Sequence, residues 1–111
     1  MLLVIDIGNT NMEFGLFEGA ELLYSFRLGT RHDLTSDEIG LSVRQYFGVQ
    51  GLSPKQLEDV VVTSVVPQVM HAMINAVRKY LEKEPLVVGT DIQINLPNRY
   101  QNPHEVGTDR L

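Results

Sequence analysis

Asp6 stands at the end of an apolar run, residues 1–5, and a second apolar run, which alternates, covers residues 12–17. Between them lies Asp6-Ile7-Gly8-Asn9-Thr10-Asn11. A carboxylate thus emerges where a buried strand ends, and a tight polar turn leads into a second strand. Gly8 can take a positive φ there, and Asn9 tolerates one better than most residues. Such a turn aims backbone N–H groups into one concavity, which suits phosphate oxygens. Thr10 and Asn11 add short side-chain donors, and Asp6 offers a hard oxygen for Mg²⁺ held through water. The same residues also make an ordinary hairpin turn. The stretch is not a P-loop: Gly-x-x-x-x-Gly-Lys-Ser/Thr is absent, and a strand follows the turn instead of a helix.

The rest of the chain supplies the context. Residues 2–6, 12–17 and 21–28 read as three antiparallel strands, with Leu22, Tyr24, Phe26 and Leu28 on one face of the third. Thr35-Ser36-Asp37-Glu38 carries a capping box and opens a helix whose apolar face is Ile39, Val43, Tyr46 and Phe47; Gly48 is expected to end it. Ser53-Pro54-Lys55-Gln56 repeats the cap logic for a short turn. Residues 60–64 form a β-branched run of the kind buried on both faces, expected beside the first strand. A second long helix starts at Pro67, with Met70, Met73, Ile74, Val77 and Leu81 inward. A strand over 86–89 follows. Residues 90–102 show no period and are expected, with the last residues, to be the least ordered part. A helix begins near residues 103–105.

That order predicts a mixed five-stranded sheet with flanking helices, the helix-linked strands parallel through right-handed crossovers. It is the ribonuclease-H-like order of the actin, sugar-kinase and Hsp70 ATPase superfamily, in which two such domains clamp ATP. The 111 residues suit one domain. A net charge of −5 with no basic cluster argues against nucleic acid and anionic membranes as partners. The absence of cysteine excludes thiolate nucleophiles, disulfides and cysteine zinc sites. The apolar start is too short for a signal-peptide core, and nothing approaches a transmembrane span, so a cytoplasmic protein is expected. His32, His71 and His104 lack any ligand spacing to one another. Asp6, Asp59 and Asp109 are the carboxylates this fold could bring together, although Asp59 starts its strand instead of ending it.

Four separated stretches, in order, resemble type III pantothenate kinases. Asp6 to Asn11 with Gly15 resembles the family's first phosphate motif. Arg27, Thr30 and Thr35-Ser36-Asp37-Glu38 resemble its passage from third strand to first helix. Ser64-Val65-Val66-Pro67 resembles its next strand-to-helix junction, and residues 103–110 resemble Pro-x-x-x-Gly-Ala-Asp-Arg, with Thr108 in place of alanine. The resemblance implies a kinase that moves the γ-phosphoryl group of ATP to pantothenate, the first step toward coenzyme A. It implies ATP and Mg²⁺ at Asp6, Ile7, Gly8, Asn9, Thr10 and Asn11. Asp109 matches the proton acceptor, and Tyr100, Gly107, Thr108, Asp109 and Arg110 the substrate site. Asp6, Gly8 and Thr10 are expected to face one concavity with Asp109. The family's second domain, with its adenosine and monovalent-cation (K⁺ or NH₄⁺) motifs, has no counterpart in these residues, so residues 1–111 read as the N-terminal half of a homodimeric enzyme, inactive alone. Three alternatives remain open on the residues: a non-catalytic regulatory relative that binds nucleotide or phosphate, a metal-dependent nuclease, and a stand-alone structural domain.

Overall fold

The structure is a computed structural model that describes residues 1–88. Strands β1 (Leu2–Ile7), β2 (Asn11–Glu18) and β3 (Glu21–Gly29) form an antiparallel meander. Helix α1 (Ser36–Gln50) and a 3₁₀ turn (Pro54–Gln56) lead to β4 (Asp59–Ser64). Helix α2 (Pro67–Ala76) runs into a π-helical turn (Val77–Leu81), and β5 (Leu86–Val88) follows. The strand order is β3-β2-β1-β4-β5, with β1–β4 and β4–β5 parallel. This is the expected mixed sheet, with β4 beside β1. The expected helix near residues 103–105 and the loop over 90–102 lie outside the described residues.

One core explains why the sequence settles here. Leu3, Ile5 and Ile7 of β1 join Met12, Phe14 and Leu16 of β2 and Val60 and Val62 of β4 on one sheet face. Ile39, Val43 and Phe47 of α1 and Val69, Met73 and Ala76 of α2 close over them. The period of two in the strands and of three to four in the helices aims these side chains at one another. Phe14 stacks on Phe26 with centroids 4.5 Å apart, and Phe26 on Tyr46 at 4.0 Å, so one aromatic column ties β2, β3 and α1. Such pairs add about 0.5–1.5 kcal/mol each beyond the area they bury. In β4, Val60 and Val62 are buried but Val61 and Thr63 are only half-buried. The expectation of burial on both faces is therefore corrected: both helices contribute to the core on the Val60 and Val62 side.

Local signals act where sequence placed them, with two shifts. Thr35 accepts from the Glu38 N–H, and the Thr35 N–H donates to the Glu38 carboxylate, a complete capping box. Ser53 and Gln56 form another. Gly48 does not end α1; the helix continues to Gln50 and Gly51 caps it at φ 71°. Of the two glycines, Gly51 takes the left-handed conformation that this cap uses and Gly48 does not. The second long helix buries Met73, Val77 and Leu81 as expected, but Met70 and Ile74 are only half-buried, Val69 and Ala76 complete the face, and the last turn widens into the π-helical turn.

That turn is locked to α1. Lys79 Nζ and Tyr80 Oη both donate to Asp37 Oδ1, at 2.8 and 2.6 Å, and Arg44 Nη1 donates to the Tyr80 carbonyl at 2.9 Å. The hydrogen bond from Lys79, then that from Tyr80, holds the Asp37 carboxyl below its ordinary range. A depressed carboxyl contributes stability that is present above its unfolded-state value, near ~3.9, and is lost as pH falls through the folded-state value. Asp37→Asn should therefore lower the urea midpoint at neutral pH, and the gap from the parent should close from about pH 4 downward. Exposure of the pair keeps the effect small. Equal midpoints at pH 7, or a gap that widens in acid, would show that Asp37 does not clamp the two helices.

Candidate functional site

The candidate site grows from the C-terminal end of β1. Gly8 pairs with Asn11 across the β1–β2 connection, its N–H donating to the Asn11 carbonyl at 2.9 Å, so Asn9 and Thr10 form a two-residue loop. The positive φ that Gly8 permits is not used. Among the described residues only Gly19, Gly51 and Glu82 have one. Types I′ and II′ both require a positive φ at the first loop residue, so neither describes this turn. By contrast, Gly19 at φ 61° supplies it in the β2–β3 turn. What Gly8 contributes is room: a Cβ there would lie 3.1 Å from the Asn11 carbonyl oxygen.

Thr30 holds the loop in shape. Its hydroxyl donates to the Gly8 carbonyl and its N–H to the Thr10 carbonyl, both at 2.9 Å. Two carbonyl oxygens of the turn are thereby turned toward β3. The N–H groups of Asn9 and Thr10 and the side chains of Asn9, Thr10 and Asn11 make no hydrogen bond among the described residues. Asn9 and Thr10 are exposed. These are free donors on a braced loop, the arrangement that binds anionic oxygens. Ile7, by contrast, is buried and its carbonyl accepts from the Val65 N–H at 3.1 Å.

Asp6 sits beneath this loop, half-buried. Thr63, its register partner on β4, donates its hydroxyl to Asp6 Oδ1 at 2.7 Å. Asp6 Oδ2 has no hydrogen-bond partner among the described residues. Ser64 folds back on the start of α2, its Oγ accepting from the Val66 N–H at 2.8 Å and donating to the Val66 carbonyl at 3.0 Å. The site thus gathers the β1–β2 loop, the start of the β3–α1 connection and the β4–α2 junction at one end of the sheet. Asp59 lies at the opposite end of β4, beside Leu2, and does not join Asp6. Tyr100, Gly107, Thr108, Asp109 and Arg110 lie outside the described residues.

Thr63 and Thr30 are the residues whose parts sequence reasoning missed. Thr30 drew attention only as part of a motif. Thr63 was legible in principle: a hydroxyl in an otherwise valine run, at the position that parallel pairing sets beside Asp6.

A profile of the type III pantothenate kinase family matches residues 2–111. A curated type III pantothenate kinase from Syntrophotalea carbinolica is 43% identical over 111 residues, all of this chain but 44% of the relative. The chain thus spans less than half the length of that relative. Among solved structures, an N-acetylglucosamine kinase from Porphyromonas gingivalis superposes with a TM-score of 0.59 at 17% identity, over 80% of this chain and 34% of that one. A ROK-family transcriptional regulator, a homologue of the E. coli MLC protein, gives 0.56 at 17% identity, over 80% and 27%. At such identities these two show the fold alone, and the fold serves a kinase and a regulator alike. The sheet order, the two helices and the superposition make this the actin-like ATPase fold, as the element order predicts. With the profile running from β1 to Leu111 and the braced Asp6–Asn11 turn in place, the chain belongs to the type III pantothenate kinase family.

Proposed function

We propose that this chain is the N-terminal half of an enzyme that transfers the γ-phosphoryl group of ATP to pantothenate. The observation that carries the reading is the match of the whole chain to this family, with free donors on the loop that its first phosphate motif forms. Phosphoryl transfer asks the protein for charge neutralisation and positioning more than for covalent chemistry. The N–H groups of Asn9 and Thr10 and the side chains of Thr10 and Asn11 would meet phosphate oxygens. Asp6 fits a hydrated Mg²⁺, since one carboxylate oxygen stays without a partner and hard oxygen donors suit that ion. When bound, the ion neutralises charge on the phosphates.

The substrate hydroxyl oxygen bonds to the γ-phosphorus, the bond to the bridging oxygen breaks, and ADP leaves with the electron pair. Asp109 takes the hydroxyl proton. An ordinary aspartate, near ~3.9, is a weak base toward an alcohol. In a loose transition state it need only orient the hydroxyl and accept the proton late. Tyr100, Gly107, Thr108 and Arg110 would hold pantothenate. A monovalent cation, K⁺ or NH₄⁺, and the adenosine site belong to the second domain, and the full-length protein would be a cytoplasmic homodimer.

ATP turnover by the full-length protein, measured with and without pantothenate, tests the reading. Pantothenate-dependent ADP release is expected. ATP binding without turnover would instead favour the regulatory relative.

A further inference from the structure

On the kinase reading, the register of the sheet places a second group in the service of Asp6. A polar row crosses four strands: Thr63 beside Asp6, Asp6 opposite Glu13, and Glu13 opposite Arg27. Directly opposed residues share one face, so Asp6 and Glu13 lie on the same face of the sheet. Arg27 Nη1 lies 3.9 Å from Glu13 Oε2 on the β3 side, and Thr63 holds Asp6 Oδ1 at 2.7 Å on the β4 side. We propose that Thr63 is a positioning residue: its hydroxyl fixes the Asp6 carboxylate so that Oδ2 is presented to a hydrated divalent cation.

Two effects of the hydroxyl point in opposite directions. A donor on Oδ1 draws charge from the carboxylate and, acting only in that way, weakens cation binding. Fixing the rotamer removes the entropy that a free carboxylate loses on binding, and this strengthens it. Hydrogen bonds to charged groups are among the stronger ones, and the 2.7 Å contact from Thr63 is short enough to hold the Asp6 rotamer. Positioning is therefore the dominant effect.

The probe is Mn²⁺ alone, followed by paramagnetic broadening of the Asp6–Asn11 amide signals in the full-length protein. Thr63→Val keeps the shape and removes the hydroxyl; Thr63→Ser keeps the hydroxyl. The valine variant should need about tenfold more Mn²⁺ for half-maximal broadening, the worth of one hydrogen bond to a charged group, and the serine variant should recover most of the loss. Unchanged or tighter binding by the valine variant, with its fold verified by unchanged amide shifts elsewhere, would overturn the proposal. So would the absence of selective broadening in the parent protein. The kinase reading fails separately: a full-length protein that shows the Mn²⁺ effect but forms no phosphopantothenate refutes that reading and leaves the role of Thr63 standing, whereas transfer with an inert Thr63→Val change refutes only the latter.

Discussion

Replacing Asp109 with Asn in the full-length protein should lower phosphopantothenate formation about 10²–10⁴-fold, the usual cost of losing a general base, while ATP still binds. The two side chains have nearly the same shape, so on the role proposed for Asp109 substrate contacts would survive and the proton acceptor alone would be lost. The proposed phosphate cradle is formed by other residues, the Asp6–Asn11 turn. Its turn is closed by Gly8 and Asn11 and braced by Thr30. Nucleotide affinity, measured by titration calorimetry, should therefore stay within about twofold of the parent, while kcat carries the loss, as expected for an interaction made only in the transition state. Near-normal turnover by the Asn variant would assign the base elsewhere. Equal loss of binding and turnover would make Asp109 a binding residue.

Gly40→Ala should destabilise the protein by about 1–3 kcal/mol, the range for overpacking a well-filled contact. In an exposed helix the same change would stabilise by up to about 1 kcal/mol, because alanine is the better helix former. Gly40 is not exposed: it is buried in α1, and a Cβ there would overlap the Tyr80 ring. The ring cannot easily swing away. Its hydroxyl is bound to Asp37 and its backbone carbonyl to Arg44. The loss should appear as a lower urea midpoint with unchanged slope. Pairing Gly40→Ala with Tyr80→Ala should recover part of it, because the second change removes the obstacle; additive losses would show that the two residues do not meet.

The meander was legible because its signals are local and agree. The alternation of Leu22, Tyr24, Phe26 and Leu28, the turn at Gly19 and the apolar start of the chain all call for antiparallel strands, and the sheet has them. The capping boxes at Thr35 and Ser53 were legible for the same reason: each is a short-range exchange of hydrogen bonds. Elsewhere a residue type admitted two outcomes. Gly48 and Gly51 both offer a helix end, and it is Gly51 that takes the left-handed φ, its N–H donating to the Gly48 carbonyl. Gly8 permits a positive φ without needing one, and Thr30, reaching across from the end of β3, fixes the loop instead. Long-range partners were the least legible. Thr63 meets Asp6 across 57 residues of sequence, and only the parallel register of β1 and β4 reveals it. Asp6 and Glu13 are set opposite each other by the antiparallel register of β1 and β2. The motif around Asp109 was read from its resemblance alone and lies outside the described residues.

The most direct measurement follows a labelled γ-phosphate from ATP in two parallel reactions with pantothenate, one with the full-length protein and one with the 111-residue chain. The label should appear in phosphopantothenate, one for each ADP formed, only with the full-length protein. Label that stays in ATP or goes to inorganic phosphate with the full-length protein would contradict the assignment of a pantothenate kinase, and label in phosphopantothenate with the 111-residue chain would contradict its being half of one.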